Sequence, residues 1–147
     1  MIHTILVPTD FSDGAGVALE RAEELARSTA GELVLLHVHE EYPIMPLDGT
    51  VMVPPGLDLE LRAALEKALE EKVVAVRKHG VAVRGLTVSG TAHVQIDAVA
   101  AREKADLIVM GTHGRRGLGR LVLGSVAERV ARTTKVPVLV VRPARPS

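Results

Sequence analysis

The sequence contains no cysteine and no tryptophan, and its aromatic residues are limited to Phe11 and Tyr42. The absence of cysteine excludes a disulfide framework, a thiolate zinc site and a cysteine nucleophile. Few aromatic rings also argue against single-stranded nucleic-acid binding, in which bases stack on aromatic side chains. The chain also has no excess of positive or negative charge, because 18 basic residues balance 18 acidic ones. We therefore expect neither nucleic acid nor an acidic membrane surface as a partner.

Long hydrophobic runs are also missing. No apolar segment approaches the roughly 18 residues that a membrane-spanning helix needs. The first residues, MIHTILVPTD, do not show the basic and then apolar pattern of a signal peptide. We expect a cytoplasmic protein. Its 147 residues, 47% of them hydrophobic, suit one core better than two, so we predict a single domain over 1–147.

Short apolar runs alternate along the chain with segments of helical periodicity. Strands are predicted over 4–8, 32–38, 81–88, 106–111 and 136–142. Helices are predicted from Ser12 or Asp13 to about Gly31, and over about 58–79, 92–104 and 124–134. Strands that are apolar on both faces and alternate with helices indicate an α/β fold, in which helices cover both faces of a parallel sheet. We predict a single doubly wound domain with five strands in the order 3-2-1-4-5.

In that order the winding reverses between strands 1 and 4, and such folds bind ligands outside the carboxyl ends of these strands. The segments that follow are PTDFSDG (8–14) and GTHGRRGLGRLVLGS (111–125), the second of which has five glycines and three arginines. Glycines permit close backbone approach, and a helix that begins near Gly124 and Ser125 offers N–H groups to phosphate. We predict a phosphate site here. The alternative is an ordinary flexible loop that ends in a helix cap.

Known catalytic and nucleotide fingerprints fit this segment poorly. Ser125 stands where a P-loop needs lysine, and Val122 interrupts the dinucleotide pattern that Gly117 and Gly119 begin. His113 has no carboxylate beside it for acid–base chemistry, and neither a nucleophile elbow nor a metal-ligand spacing is evident. We therefore expect no efficient catalysis, and at most slow hydrolysis of a bound nucleotide.

A longer pattern in the chain resembles a known family. The motif Gly111-x2-Gly114-x9-Gly124-Ser125 is similar to the G-x2-G-x9-G-[ST] signature of the ATP-binding universal stress proteins. The resemblance extends over ILVPTDFS, VLLHV, DLIVMGTHG, GSVAERV and VPVLVVRP, and so over most of the chain. The segment SGTAHVQI (89–96) departs from the family pattern but leaves the nucleotide loops untouched.

The resemblance implies ATP as ligand, with Mg²⁺ or Mn²⁺ held mainly by its phosphates and by no protein side chain. Val38 would contact adenine through its backbone, and the carboxylate of Asp10 would accept hydrogen bonds from the nucleoside. The full set of implied contacts is Pro8, Thr9, Asp10, Val38, Met110, Gly111, His113, Gly114, Gly124, Ser125 and Val126. From the loop itself, Arg115, Arg116 and Arg120 are candidates for phosphate countercharge.

Several interpretations stay open at this point. Asp10 is also suited to a turn or a helix cap, although its position where the winding reverses favours contact with a ligand. His37 and His39 are expected to be hydrogen-bonded structural residues. Strand 5 (136–142) would be an exposed sheet edge, which predicts pairing with a second copy, as the resemblance also implies. The proline-rich segment 40–57 is a candidate lid, dimer contact or site for an unknown protein partner. The alternative function is a nucleotide-free protein-interaction module of the same fold.

Overall fold

The computed structural model describes residues 1–40, 56–112 and 123–143. Five strands and four helices alternate along these ranges. The strands are β1 (Thr4–Pro8), β2 (Glu32–His39), β3 (Ala82–Ser89), β4 (Leu107–Gly111) and β5 (Val138–Val141). The helices are α1 (Asp13–Thr29), α2 (Leu57–Lys78), α3 (Ala92–Arg102) and α4 (Ser125–Thr133). Among the described residues, no helix is both long and apolar enough to span a bilayer.

The strands form one parallel sheet in the order β3-β2-β1-β4-β5, which confirms the predicted fold class and strand order. Side chains alternate between the two faces of each strand. On one face Val7 and Leu35 pack with α1 and α2, and on the other Leu36 and Ile108 pack with α3 and α4. The two cores explain why the central strands are apolar at nearly every position.

The two edge strands are less buried than the three between them. Residues Leu33 to Leu36 of β2 are completely inaccessible, whereas Leu139 of β5 is 37% exposed. The other three residues of β5 are only half-buried. The strand β5 is thus apolar, and its outer edge has no neighbouring strand among the described residues.

Helix α2 contacts the sheet through only part of its length. Its apolar residues recur every four positions, which predicts one helical face. Leu69 and Val73 on that face are buried, but Leu57 and Leu61, nearer its beginning, are about half exposed. The four-residue spacing identifies the apolar face of α2 correctly. How much of that face is buried depends on how far the sheet extends beneath the helix.

Candidate functional site

The loop after β1 is held by one hydrogen bond to β2 and by two between residues close in sequence. The Thr9 N–H donates to the carbonyl oxygen of Leu36 on β2 (2.8 Å). The Phe11 N–H donates to Thr9 Oγ1 (3.1 Å), and the Ser12 N–H donates to Asp10 Oδ1 (3.0 Å). Such side-chain to backbone bonds fix a tight turn. The turn role that the sequence allowed for Asp10 is therefore present, and its contact with a ligand stays a prediction.

Phe11 and His37 contact each other and stabilise this loop. Phe11 has a φ of 63°, in the left-handed region that a bulky side chain seldom adopts. Its ring centroid lies 4.9 Å from that of His37, which is buried on β2. His37 Nδ1 lies 3.0 Å from the Thr9 carbonyl oxygen, so His37 is hydrogen-bonded as expected. The sequence did not indicate that its partner belongs to this loop.

At the end of β4, Gly111 lies directly against the beginning of α1. A Cβ atom on Gly111 would lie 2.8 Å from the carbonyl oxygen of Gly14 and 2.9 Å from its carbon. Real Cβ atoms essentially never approach this closely. Gly111 thus has a packing role of its own, in addition to the ribose and phosphate role that the resemblance implies.

The beginning of α4 is joined to the end of β4. The Gly124 N–H donates to the Thr112 carbonyl oxygen (2.6 Å), and the Thr112 N–H donates to the Val141 carbonyl oxygen of β5 (3.1 Å). Gly124 is the N-cap of α4, with φ −61° and ψ 153°, and among the described residues no side chain caps the helix. The first N–H groups of a helix have no partner inside it, so this end of α4 can receive an anion.

Two other helices begin at the same edge of the sheet, where the carboxyl ends of the strands lie. The first turn of each already has a side-chain hydrogen-bond acceptor. Ser12 Oγ accepts from the Ala15 N–H at the start of α1 (3.2 Å). Glu40 Oε1 accepts from the Ala92 N–H at the start of α3 (3.0 Å), a cap that the sequence did not indicate. A carboxylate satisfies the positive end of a helix as a phosphate would. Among the described residues, α2 and α4 each begin at a glycine N-cap with no side-chain hydrogen bond. Of these two helices, α4 is the one that begins beside the end of β4, where the winding reverses.

The aliphatic candidates share one face of the sheet. Met110 is buried in the core that faces α3 and α4, and Val38 and Val126 pack against that core. Pro8 and Thr9 end the neighbouring strand β1, so the described candidates meet at one edge. They are Pro8, Thr9, Asp10, Val38, Met110, Gly111, Gly124, Ser125 and Val126.

Several predicted residues lie outside the described residues. They are His113, Gly114, Arg115, Arg116 and Arg120 of the glycine-rich segment, and positions 41–55 of the segment 40–57. Within the described ranges, no group of three or more histidine or carboxylate side chains is placed to hold a metal ion.

Comparison with known proteins decides the family. The model of the universal stress protein family matches residues 1–142. The chain belongs to the universal stress protein family. It is 34% identical to universal stress protein MJ0577 of Methanocaldococcus jannaschii, over 97% of this chain and 96% of that protein. The solved structure of MJ0577 superposes with a TM-score of 0.78 at 33% identity, over 99% of both chains.

A second solved relative is a universal stress protein in complex with cAMP. It superposes with a TM-score of 0.69 at 26% identity, over 96% of this chain and 97% of the other. Both likenesses extend over nearly the whole chain. The fold of this universal stress protein is thus that of these solved relatives.

In this universal stress protein, β2 is also tied to the start of α2. Asp58 Oδ1 lies 3.0 Å from His39 Nε2, and the Arg62 Nε–H donates to Asp58 Oδ2 (3.0 Å). The hydrogen bond with His39 lowers the pKa of the Asp58 carboxyl, and Arg62 lowers it further. The lowered pKa extends the ionised state of this carboxylate to lower pH, and the two bonds hold the first turn of α2 near the end of β2.

A groove of about 470 Å³ lies on the face of the sheet that carries α2. Phe11 and the apolar side chains of Leu65 and Ala68 line it, with Lys72 beside them. Val38 and Met110 pack on the other face of the sheet. The groove is therefore distinct from the candidate site, although Phe11, which lines the groove, directly follows Asp10 in the chain.

Proposed function

We propose that this chain binds ATP at the carboxyl ends of β1 and β4, as a cytoplasmic stress-response protein that acts as a nucleotide-dependent switch. The observation that carries the proposal is the start of α4. Gly124 is bonded to the end of β4 and supplies no side-chain cap. The phosphates take the place of that cap, because the helix N-terminus offers N–H donors and the positive end of its dipole.

The neighbouring side chains suit an adenine nucleoside. Val38 and Met110 offer aliphatic contact to the base, and Val126 extends the apolar wall towards the phosphates. Asp10, beside them in its turn, accepts hydrogen bonds from the ribose. The relative solved with cAMP supports an adenine nucleotide as the class of ligand.

In this proposal the metal ion binds to the phosphates of ATP, and arginine side chains neutralise the charge of those phosphates. Mg²⁺ commonly keeps several waters and binds through substrate phosphates, so no dedicated cage of protein ligands is needed. Ser125 adds an exposed hydroxyl at the helix start, and Arg115, Arg116 and Arg120 neutralise the triphosphate. Without a P-loop lysine or a positioned base, hydrolysis is at most slow. ATP therefore acts as a bound signal for a protein partner.

The first experiment identifies the nucleotide. Purified protein is denatured, the released nucleotide is identified by chromatography, and the emptied protein is titrated with ATP and Mg²⁺ in a calorimeter. We expect co-purified adenine nucleotide, or binding at micromolar ATP. No released nucleotide together with no heat at millimolar ATP would contradict the proposal and favour the nucleotide-free interaction module.

We further propose that two copies pair through the outer edge of β5. The carbonyl oxygens of Pro137 and Val141 accept hydrogen bonds from the N–H groups of Ile108 on β4 and of Thr112 just after it, so alternate residues of β5 face β4. The backbone N–H of Val140 therefore faces the outer edge. The exposed apolar edge that Leu139 helps to form is typical of a strand that pairs with another.

A proline at Val140 tests this pairing, because it removes the outward N–H without touching the ladder to β4. We expect Val140→Pro to be a folded monomer by light scattering after size exclusion, whereas Val140→Thr, which keeps the N–H, stays dimeric. A dimeric Val140→Pro variant would contradict pairing through this edge.

A further inference from the structure

We propose that His37 is a positioning residue for the loop after β1. His37 holds the Thr9 carbonyl group and thereby sets the orientation of the peptide that leads into Asp10. The inference rests on the proposed ATP site and adds to it a residue on the opposite face of the sheet. His37 is not itself one of the candidate ligand contacts. It acts through the backbone of the loop.

The hydrogen bond determines which nitrogen of His37 carries the proton. Nδ1 lies 3.0 Å from the Thr9 carbonyl oxygen, and a carbonyl oxygen can only accept. Nδ1 must therefore carry the hydrogen. The ring donates to a backbone atom 28 positions earlier in the chain, from a strand that has a neighbouring strand on each side.

The other ring nitrogen shows what this histidine contributes. Nε2 is buried and has no hydrogen-bond partner in the part of the chain that the structure describes. A buried polar atom without a partner costs free energy, and a leucine such as Leu35 fills the same face of β2 without that cost. The polar contribution of His37 is thus its bond to Thr9.

The geometry of the peptide carries this effect to the other side of the sheet. The Thr9 N–H is held by the Leu36 carbonyl oxygen, and His37 holds the Thr9 carbonyl group, so both peptides that flank Thr9 are fixed by β2. In a trans peptide the C=O and the following N–H point in opposite directions. Because the Thr9 C=O points towards His37, the Asp10 N–H points away from His37 and from the face of the sheet on which His37 lies.

Phe11 makes the second contact between this loop and His37. Its ring packs against His37 with the centroids 4.9 Å apart, and its left-handed backbone turns the chain towards α1. A strained backbone of this kind persists where its surroundings determine it strongly. His37 thus supports the loop twice, through the bond to Thr9 and through contact with Phe11.

A pair of substitutions separates the bond from the bulk of the ring. His37→Leu fills the core but offers no donor, whereas His37→Asn places a side-chain N–H near the position of Nδ1. We expect His37→Leu to weaken ATP binding about tenfold, which corresponds to about 1.4 kcal/mol. His37→Asn should recover most of that loss, although it fills the core less well. Calorimetric titration of wild type and both variants measures this, and thermal melts of each record any change in stability.

A measurement on the ligand-free wild type tests the inference independently of ATP. Two-bond ¹H–¹⁵N NMR correlations of His37 report which ring nitrogen is protonated, and we expect the Nδ1–H form. A proton on Nε2 would overturn the inference, as would ATP binding by His37→Leu as tight as that of wild type. So would a His37→Asn variant that is stable yet no better than His37→Leu. Absence of ATP binding by wild type would instead contradict the proposed function, with the tautomer still testing the bond to Thr9.

Discussion

Gly111→Ala is expected to lower the free energy of unfolding by about 2 kcal/mol, because overpacking a well-packed site typically costs 1–3 kcal/mol. The added Cβ would lie 2.8 Å from the carbonyl oxygen of Gly14. That oxygen belongs to the backbone of α1 and cannot rotate away, so the start of the helix must move from β4. Thermal denaturation should show a midpoint lower by about 4–8 °C for a domain of this size.

The same substitution in α1 provides a matched control. A Cβ atom on Gly16 would meet nothing within 4 Å, and alanine favours a helix interior over glycine by about 1 kcal/mol. Gly16→Ala should therefore raise the melting temperature while Gly111→Ala lowers it. Equal stability of the two variants would show that α1 does not pack against β4 at Gly111.

Gly111 also illustrates how a motif can hide a second role. In the sequence it is the first glycine of the family signature, and that resemblance assigns it to ribose and phosphate. The contact with Gly14 cannot be inferred from the sequence, because it depends on how closely α1 approaches β4. A loss of ATP affinity in Gly111→Ala would therefore have two causes, displacement of α1 and obstruction of the ligand.

The fold itself was predictable because each of its determinants is local or general. Apolar runs such as Leu33 to Leu36 indicate buried strands, and the alternation with helices indicates a parallel sheet. Right-handed crossovers then leave few strand orders, and the predicted 3-2-1-4-5 is the one observed.

The contacts that organise the site were less accessible from the sequence. The bond from His37 to Thr9 depends on the pairing of β1 with β2, in which Pro8 lies opposite Leu36. Glu40 reaches the start of α3, 52 positions further along the chain. Such pairs carry no spacing signal, because only the folded sheet brings their elements together. Ser12 at the start of α1 was predictable, since a cap acts within three residues.

The start of α4 allows a test in which stability and affinity change in opposite directions. Gly124→Asp is expected to stabilise the protein by about 0.3–1 kcal/mol, because aspartate is a favourable N-cap and its charge complements the helix dipole. Gly124 already has the extended backbone of an N-cap residue, with φ −61° and ψ 153°. The same carboxylate would take the N–H groups that the phosphates need and would repel the triphosphate. ATP binding should therefore weaken roughly 100-fold, which corresponds to about 2.7 kcal/mol.

Gly124→Asn separates competition from repulsion. Asparagine caps a helix about as well as aspartate but carries no charge, so we expect a smaller loss of affinity, on the order of tenfold. Denaturant midpoints and calorimetric titrations of both variants give the two quantities side by side. A misfolded variant would lose stability together with affinity. A gain in stability with a loss of affinity in the uncharged Gly124→Asn variant therefore indicates that the cap and the phosphates compete for the same N–H groups. Wild-type affinity in Gly124→Asp would place the phosphates away from α4 and would contradict the proposed site.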